Sequence, residues 1–222
     1  MITLWLPFVL RNPRRIRFIF PWLSSLKKGK SPLQDRLPLI PFEAKEWLES
    51  FLTKNMNVFE WGSGGSTLFI AKRIKKLISV EHDLEWYITI SKFIKEDDLS
   101  NCKYIFKKPE SLNNDSFKSG NFPNYFSNVE RYKDLTFEDY CKTIESYPDN
   151  FFDLVFVDGR ARPSCIFHAL NKIRPGGFLM LDDSERKQYS QGTALLKGWE
   201  QKDFLGPRPY KKQLHQTSIW RK

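Results

Sequence analysis

The sequence has few cysteines, no long apolar run and, over its first thirty residues, no acid. The three cysteines, Cys102, Cys141 and Cys165, form no CxxC pair and no even-numbered set. This excludes a disulfide framework and fits a reducing compartment. No apolar stretch is long enough to span a bilayer. A secretory signal is not expected either. In "MITLWLPFVLRNPRRIRFIF" the positive charge follows the apolar run, and no small-residue cleavage site comes after it. The acid-free residues 1–30 carry +7 of the net charge of +10, leaving +3 for the rest of the chain. The basic character therefore belongs to one end of the chain. That argues against a nucleic-acid-binding body, whose charge would cover a face of the fold.

What is present is a globular composition. The chain has 222 residues, 41% apolar and 15% aromatic, enough for one domain with a sizeable core. Residues 1–35 form a basic, apolar extension in which Pro7, Pro13, Pro21 and Pro32 preclude a single long helix. Two readings of it stand side by side. Its aromatic and apolar side chains suit an anionic membrane surface with arginines on the headgroups, or they pack the arm on the body or on a second subunit. The expected location is the cytoplasm, including the inner face of a membrane.

Residues 36–222 read as one domain. Helical signals ("EAKEWLESFL", "STLFIAKRIKKL", "LEWYITISKFIKEDDL", "FEDYCKTIESY", "SCIFHALNKI", "GTALLKGWE") alternate with strand signals ("NVFEWG", "LISVEHD", "CKYIFKK", "FDLVFVDG", "FLMLDD", "QTSIWRK"). "RPGG" is expected to stop the helix before "FLMLDD". Such alternation predicts an α/β fold, a doubly wound and mostly parallel sheet covered on both faces. "FLGPRPYKKQLHQTSIW" predicts a C-terminal hairpin. Residues 107–135 are long, polar and aromatic, which marks a substrate loop or lid.

In "NVFEWGSGGSTLFIAKRI" four small residues, Gly62, Ser63, Gly64 and Gly65, join a strand to a helix. The turn is tight and lets a ligand approach the backbone at the carboxyl ends of the strands. It lacks the third glycine of a dinucleotide fingerprint. Glu60 precedes it, and a carboxylate at the mouth of such a cradle repels a pyrophosphate but suits a cation. Glu81 ends the next strand in "SVEHD", 19 residues after Gly62, where an acid accepts ribose hydroxyls.

On the motifs "FEWGSGG", "SVEHD", "DLVFVDG" and "IRPGGFLMLDD", in that order, the chain resembles the class I S-adenosylmethionine-dependent methyltransferases from Pro41 to Lys222. The resemblance implies a Rossmann-like, seven-stranded sheet with an antiparallel C-terminal strand. It implies S-adenosylmethionine as cofactor, whose sulfonium and ammonium agree with the acidic turn. Glu60, Gly62, Ser63 and Gly64 would surround the methionine part and Glu81 the ribose, with His82 beside it as a cofactor contact or a strand cap. The adenine pocket would draw on "KKPESL".

Asp158 ends one strand, and Asp182 and Asp183 end the next, so the three carboxylates should converge beside the cradle. Close acids repel unless something positive sits among them. A divalent cation such as Mg2+ is one solution; Arg160, Arg162 or Arg186 is another. The pattern Asp158, Asp182, Asp183 is similar to that of metal-dependent catechol-type and sugar O-methyltransferases. "DGRARP" departs from it, because no lysine follows the first Asp. A similarity to plant glucuronoxylan-type methyltransferases around "VDG" leans toward a saccharide. Asp158 is the candidate catalytic base. The Asn/Asp-Pro-Pro-aromatic motif that accompanies nucleobase amino methylation is not there. The expected function is thus O-methylation of a small-molecule or saccharide hydroxyl. The rival readings are a non-catalytic, membrane-associated module and an NAD-dependent enzyme. Trp61 reads as core or cofactor contact, His168 as structural, and His215 as lying near the pocket without a role.

Overall fold

The computed structural model describes residues 2–112 and 122–222, with the side chains of residues 2, 3, 4, 6 and 11 outside the description. The strands of the main sheet are β1 (Asn57–Trp61), β2 (Lys76–Glu81), β3 (Cys102–Phe106), β6 (Phe152–Val157), β7 (Ile173–Asp182), β8 (Glu200–Pro207) and β9 (Leu214–Arg221). The short strands β4 (Glu110–Ser111) and β5 (Leu135–Thr136) form a separate antiparallel pair at the two ends of the 107–135 loop. Residues 113–121 of that expected lid lie outside the described residues. The sheet order is β3-β2-β1-β6-β7-β9-β8, and β9 alone runs against its neighbours. The expected seven-stranded sheet with an antiparallel C-terminal strand is thus present.

The strands are apolar on both faces because helices cover both. On one face Phe59, Ile78, Val80, Val155 and Val157 pack on α7 (Glu138–Lys142) and α8 (Arg162–Ala169). On the other, Val58, Leu77, Leu154 and Phe156 pack on α4 (Phe42–Phe51) and α5 (Gly65–Ala71). The remaining helices are α1 (Ile2–Arg11), α2 (Ile19–Ser25), α3 (Pro32–Asp35), α6 (Leu84–Glu96) and α9 (Ser190–Ala194).

Several boundaries differ from expectation; in "GTALLKGWE" the helix ends at Ala194, and Glu200 already belongs to β8. Helix α5 stops at Ala71, because Lys76 and Leu77 are already paired with Asn57 and Val58 in the sheet. "RPGG" is not a helix stop. Helix α8 has ended by Ala169, and Arg174 to Gly177 lie inside β7, where a register irregularity against β6 accommodates them.

The N-terminal arm packs on the body. Phe8, Phe18 and Trp22 form a cluster with Phe42, and Trp22 Nε1 donates to Lys211 O at 2.7 Å. Arg15 and Arg17 pair with Glu43 and Glu46 of α4 at 2.9 and 2.5 Å. The prolines divide the arm into short helices, as expected, although Pro7 lies within α1. Among the described residues no helix is long and apolar enough to cross a membrane.

Candidate active site

The strand order reverses between β1 and β6, and the loops after these strands are stitched together. Asp158 N–H donates to Trp61 O and Gly62 N–H to Val80 O, each at 2.9 Å. Gly62 has φ +87°, and a Cβ there would lie 2.7 Å from Gly159 Cα. Positive φ and loop contact together demand glycine at this position. Gly65 is required for a different reason: a Cβ would collide with the carbonyl oxygens of Leu37 and Pro32, so it serves the packing of the arm segment. Gly64 has open space above it.

A cleft of about 570 Å3 opens over this switch point. Of the residues expected to bind a cofactor, Gly62, Ser63, Glu81 and His82 line it, as does Asp158. Glu81 is buried and organises the turn. Its carboxylate accepts from Ser63 N–H (3.1 Å), Ser63 Oγ (2.8 Å), His82 N–H (2.7 Å) and Asp83 N–H (2.9 Å). Burial alone would raise its pKa. The His82 imidazole, 2.7 Å away, and these donors outweigh that and hold it below its ordinary value. An anionic acceptor group at the end of β2 is what a ribose diol needs.

Glu60 and Gly64 are corrections. Glu60 is not at the mouth of the cradle. Strand alternation turns it toward α5, where it is fully buried and accepts from Thr67 Oγ1 and Ser79 Oγ, both at 2.6 Å. Gly64 is off the cleft lining, and its N–H donates to Thr67 Oγ1 at 2.9 Å. Glu60 therefore braces the turn from beneath. Glu81, Asp83, Glu85 and Asp158 do line the cleft, but Arg131, Arg160 and Arg162 line it with them, so the charge argument against a pyrophosphate does not carry over from Glu60.

Burial raises Glu60 to about 7 against the opposing effect of its hydroxyl donors. The folded state thus holds a proton that the unfolded chain releases above its ordinary value of 4.5. Stability should fall as pH rises from about 4.5 to 7, by about 3 kcal/mol in all, and stay level above. Glu60→Gln removes this titration. Its melting temperature relative to the native protein should rise between pH 5 and pH 8. A pH-independent difference would show that Glu60 titrates normally.

The three aspartates converge, but arginines lie among them. Arg162 Nη2 contacts Asp158 Oδ1 at 3.0 Å. Arg208 Nη1 reaches Asp182 Oδ2 at 3.3 Å and Asp183 Oδ1 at 3.4 Å, and Arg186 Nη2 lies 2.5 Å from Asp183 Oδ2. Asp182 Oδ1 also accepts from Thr217 Oγ1 at 2.6 Å. The residues do not fit a shared divalent cation, because guanidinium groups hold the oxygens it would need. Among the described residues the ligand atoms that do come together are those of Asp183, Glu185 and His215; Arg186 and Arg208 crowd these too. Of the arginines expected to neutralise the acids, Arg162 and Arg186 do so; Arg208, brought in by the C-terminal hairpin, was not legible in the sequence.

Of Asp158, Asp182 and Asp183, Asp158 is the one that lines the cleft, with its side chain 26% exposed. Burial first and Asp182 second push its pKa well up, against Arg162. Arg162 is fastened to the strand ends by Gly159 O (3.0 Å), Asp158 O (3.1 Å) and Asp182 O. Trp86 of α6 lines the cleft with its Nε1–H on Ser63 O at 2.8 Å; its place in an amphipathic helix gave no signal of this. Trp61 is core, fully buried with Nε1–H on Tyr140 O at 2.9 Å. His168 is structural, between Glu145 (2.7 Å) and Tyr125 (3.1 Å). His215 sits 3.1 Å from Asp183.

The sheet order, the lone antiparallel strand and the cleft over the first crossover define the class I methyltransferase fold. Among solved structures, the O-methyltransferase from Bacillus cereus in complex with SAH aligns over 90% of this chain and 85% of its own, with TM-score 0.56 and 15% identity. An rRNA methylase from Streptococcus thermophilus aligns over 88% of this chain and 99% of its own, with TM-score 0.52 and 12% identity. Precorrin 8W decarboxylase from Methanobacterium thermoautotrophicum aligns over 81% and 89%, with TM-score 0.51 and 14% identity. At these identities the likeness is one of fold. No family model and no curated protein sequence matches the chain.

Proposed function

We propose that the chain is an S-adenosylmethionine-dependent methyltransferase that acts on a hydroxyl of a small molecule or saccharide. The observation that carries the reading is Glu81, a carboxylate held in its charged form against the glycine turn in the cleft. The residues fit the donor: Glu81 would hold the ribose, Gly62 and Ser63 would pass close under the methionine part, and Trp86 would wall the cleft. When bound, the sulfonium supplies an activated methyl group and its own neutral leaving group. Asp158 would accept the proton of the acceptor hydroxyl as its oxygen takes the methyl group from the sulfonium. Arg162 steadies the Asp158 loop through its carbonyl contacts. The cation-assisted form of this chemistry is not carried forward, since the aspartates are engaged by arginines.

Calorimetric titration tests the reading, with S-adenosylhomocysteine against NAD, each with and without Mg2+. Micromolar binding of S-adenosylhomocysteine alone, insensitive to Mg2+, is expected. Glu81→Ala should weaken it by about 10- to 100-fold, as for loss of hydrogen bonds to a charged group. Binding of NAD in its place would overturn the reading, and tightening by Mg2+ would restore the cation.

A second reading, a membrane-associated module without turnover, is favoured by the outer face of the arm. Leu10, Ile16, Phe20 and Leu23 are exposed there. It predicts sedimentation with anionic vesicles and no affinity for S-adenosylhomocysteine.

A further inference from the structure

A second cavity of about 260 Å3 adjoins the cleft and shares Gly159, Arg160 and Arg162 with it. The two differ in charge. Four carboxylates offset Arg131, Arg160 and Arg162 in the lining of the first, whereas among the described residues lining the second there is no acid. Arg160, Arg162 and Arg186 line the second, with the amides of Asn124, Asn128 and Gln188.

The three arginines are not equivalent. The donors of Arg162 are used by Asp158, Gly159 and Asp182. Arg186 rests on Asp183. Arg160 is half-buried and has no carboxylate partner among the described residues; its guanidinium lies 5.8 Å from the Tyr132 ring centroid. It is therefore the cation with charge to spare, two residues from Asp158 on the same loop. A volume near the lower end of ordinary ligand pockets suits a single small ring. Amides are donors and acceptors for hydroxyl groups, and a guanidinium forms paired bonds to a carboxylate or phosphate.

We infer that this cavity is the acceptor subsite and that it takes a hydroxylated anion, with Arg160 gripping the carboxylate or phosphate and the neighbouring amides holding the hydroxyls. The inference rests on the methyltransferase reading for its chemistry and not for its binding. Anchoring the anion at Arg160 brings a hydroxyl of the same small molecule beside Asp158, the group proposed to take its proton.

The test is calorimetric titration of glucose 6-phosphate, glucuronate and glucose into the full chain, with and without saturating S-adenosylhomocysteine. At least one anion should bind about tenfold or more tightly than glucose, the margin expected for a charge-assisted pair. The better of the two identifies phosphate or carboxylate as the recognised group. Arg160→Gln should abolish the preference and Arg160→Lys should retain part of it, with melting curves confirming that both variants fold. Equal binding of glucose, binding of none of the three, or an undiminished preference in Arg160→Gln would overturn the inference. Lack of S-adenosylhomocysteine binding with the anion preference intact would overturn the methyltransferase reading alone.

Discussion

Asp158→Asn is expected to lower the turnover of methyl transfer by about 10²- to 10⁴-fold, the usual contribution of a positioned base. Affinity for S-adenosylhomocysteine should change little. The substitution keeps the shape of the side chain while removing its capacity to take a proton and its charge opposite Arg162. Arg162 retains its carbonyl acceptors at Gly159, Asp158 and Asp182, so the loop keeps its fastening. The pH profile gives a second check. Burial and the neighbouring Asp182 lift the Asp158 carboxyl well above its ordinary value. The base is active only when deprotonated, so kcat/KM should fall as pH is lowered, with a midpoint above the usual carboxylate range. A midpoint near pH 4, or full activity in the Asn variant, would assign the base elsewhere.

Gly62→Ala should lower the melting temperature by about 6–12 °C, from roughly 3 kcal/mol of strain and overlap in a domain of this size. Two penalties coincide there. The φ of +87° is unfavourable for any residue with a Cβ, and that Cβ would press on the backbone of Asp158 and Gly159 at 2.7–2.8 Å. Backbone cannot swing aside as a side chain can, so either the turn opens or the β6 loop retreats. Gly64→Ala is the control: its backbone is extended and nothing lies within 4 Å of the added carbon, so its melting temperature should stay close to native. Equal effects at both positions would mean that the two loops are not in contact.

The strand-and-helix order was legible because it depends on short-range pattern. Runs such as "LVFV" at residues 154–157 are apolar at every position, which only a strand covered on both faces accommodates. The turn at Gly62, Glu81 at the end of β2 and Asp158 after β6 were legible for a related reason: parallel strands deliver their carboxyl ends to one side of the sheet. The same logic fails for Glu60, two residues before Gly62. Counting along β1 places it at the strand end, but the pleat decides whether it faces ligand or helix, and it faces α5.

The sequence by itself determined the α/β architecture, the place of the cleft and the acids at its strand ends, because periodicity and strand direction are local properties that survive without knowledge of partners. The tertiary structure alone decided how those acids are neutralised. Arg208 reaches Asp182 and Asp183 from a hairpin 25 or 26 residues away in sequence, and Arg162 turns its guanidinium back onto the strand ends. It also decided that the arm's Arg15 and Arg17 meet Glu43 and Glu46. Charge pairing falls off with distance in space and is indifferent to distance along the chain, so the partner of each carboxylate was fixed only when the sheet brought its edges together.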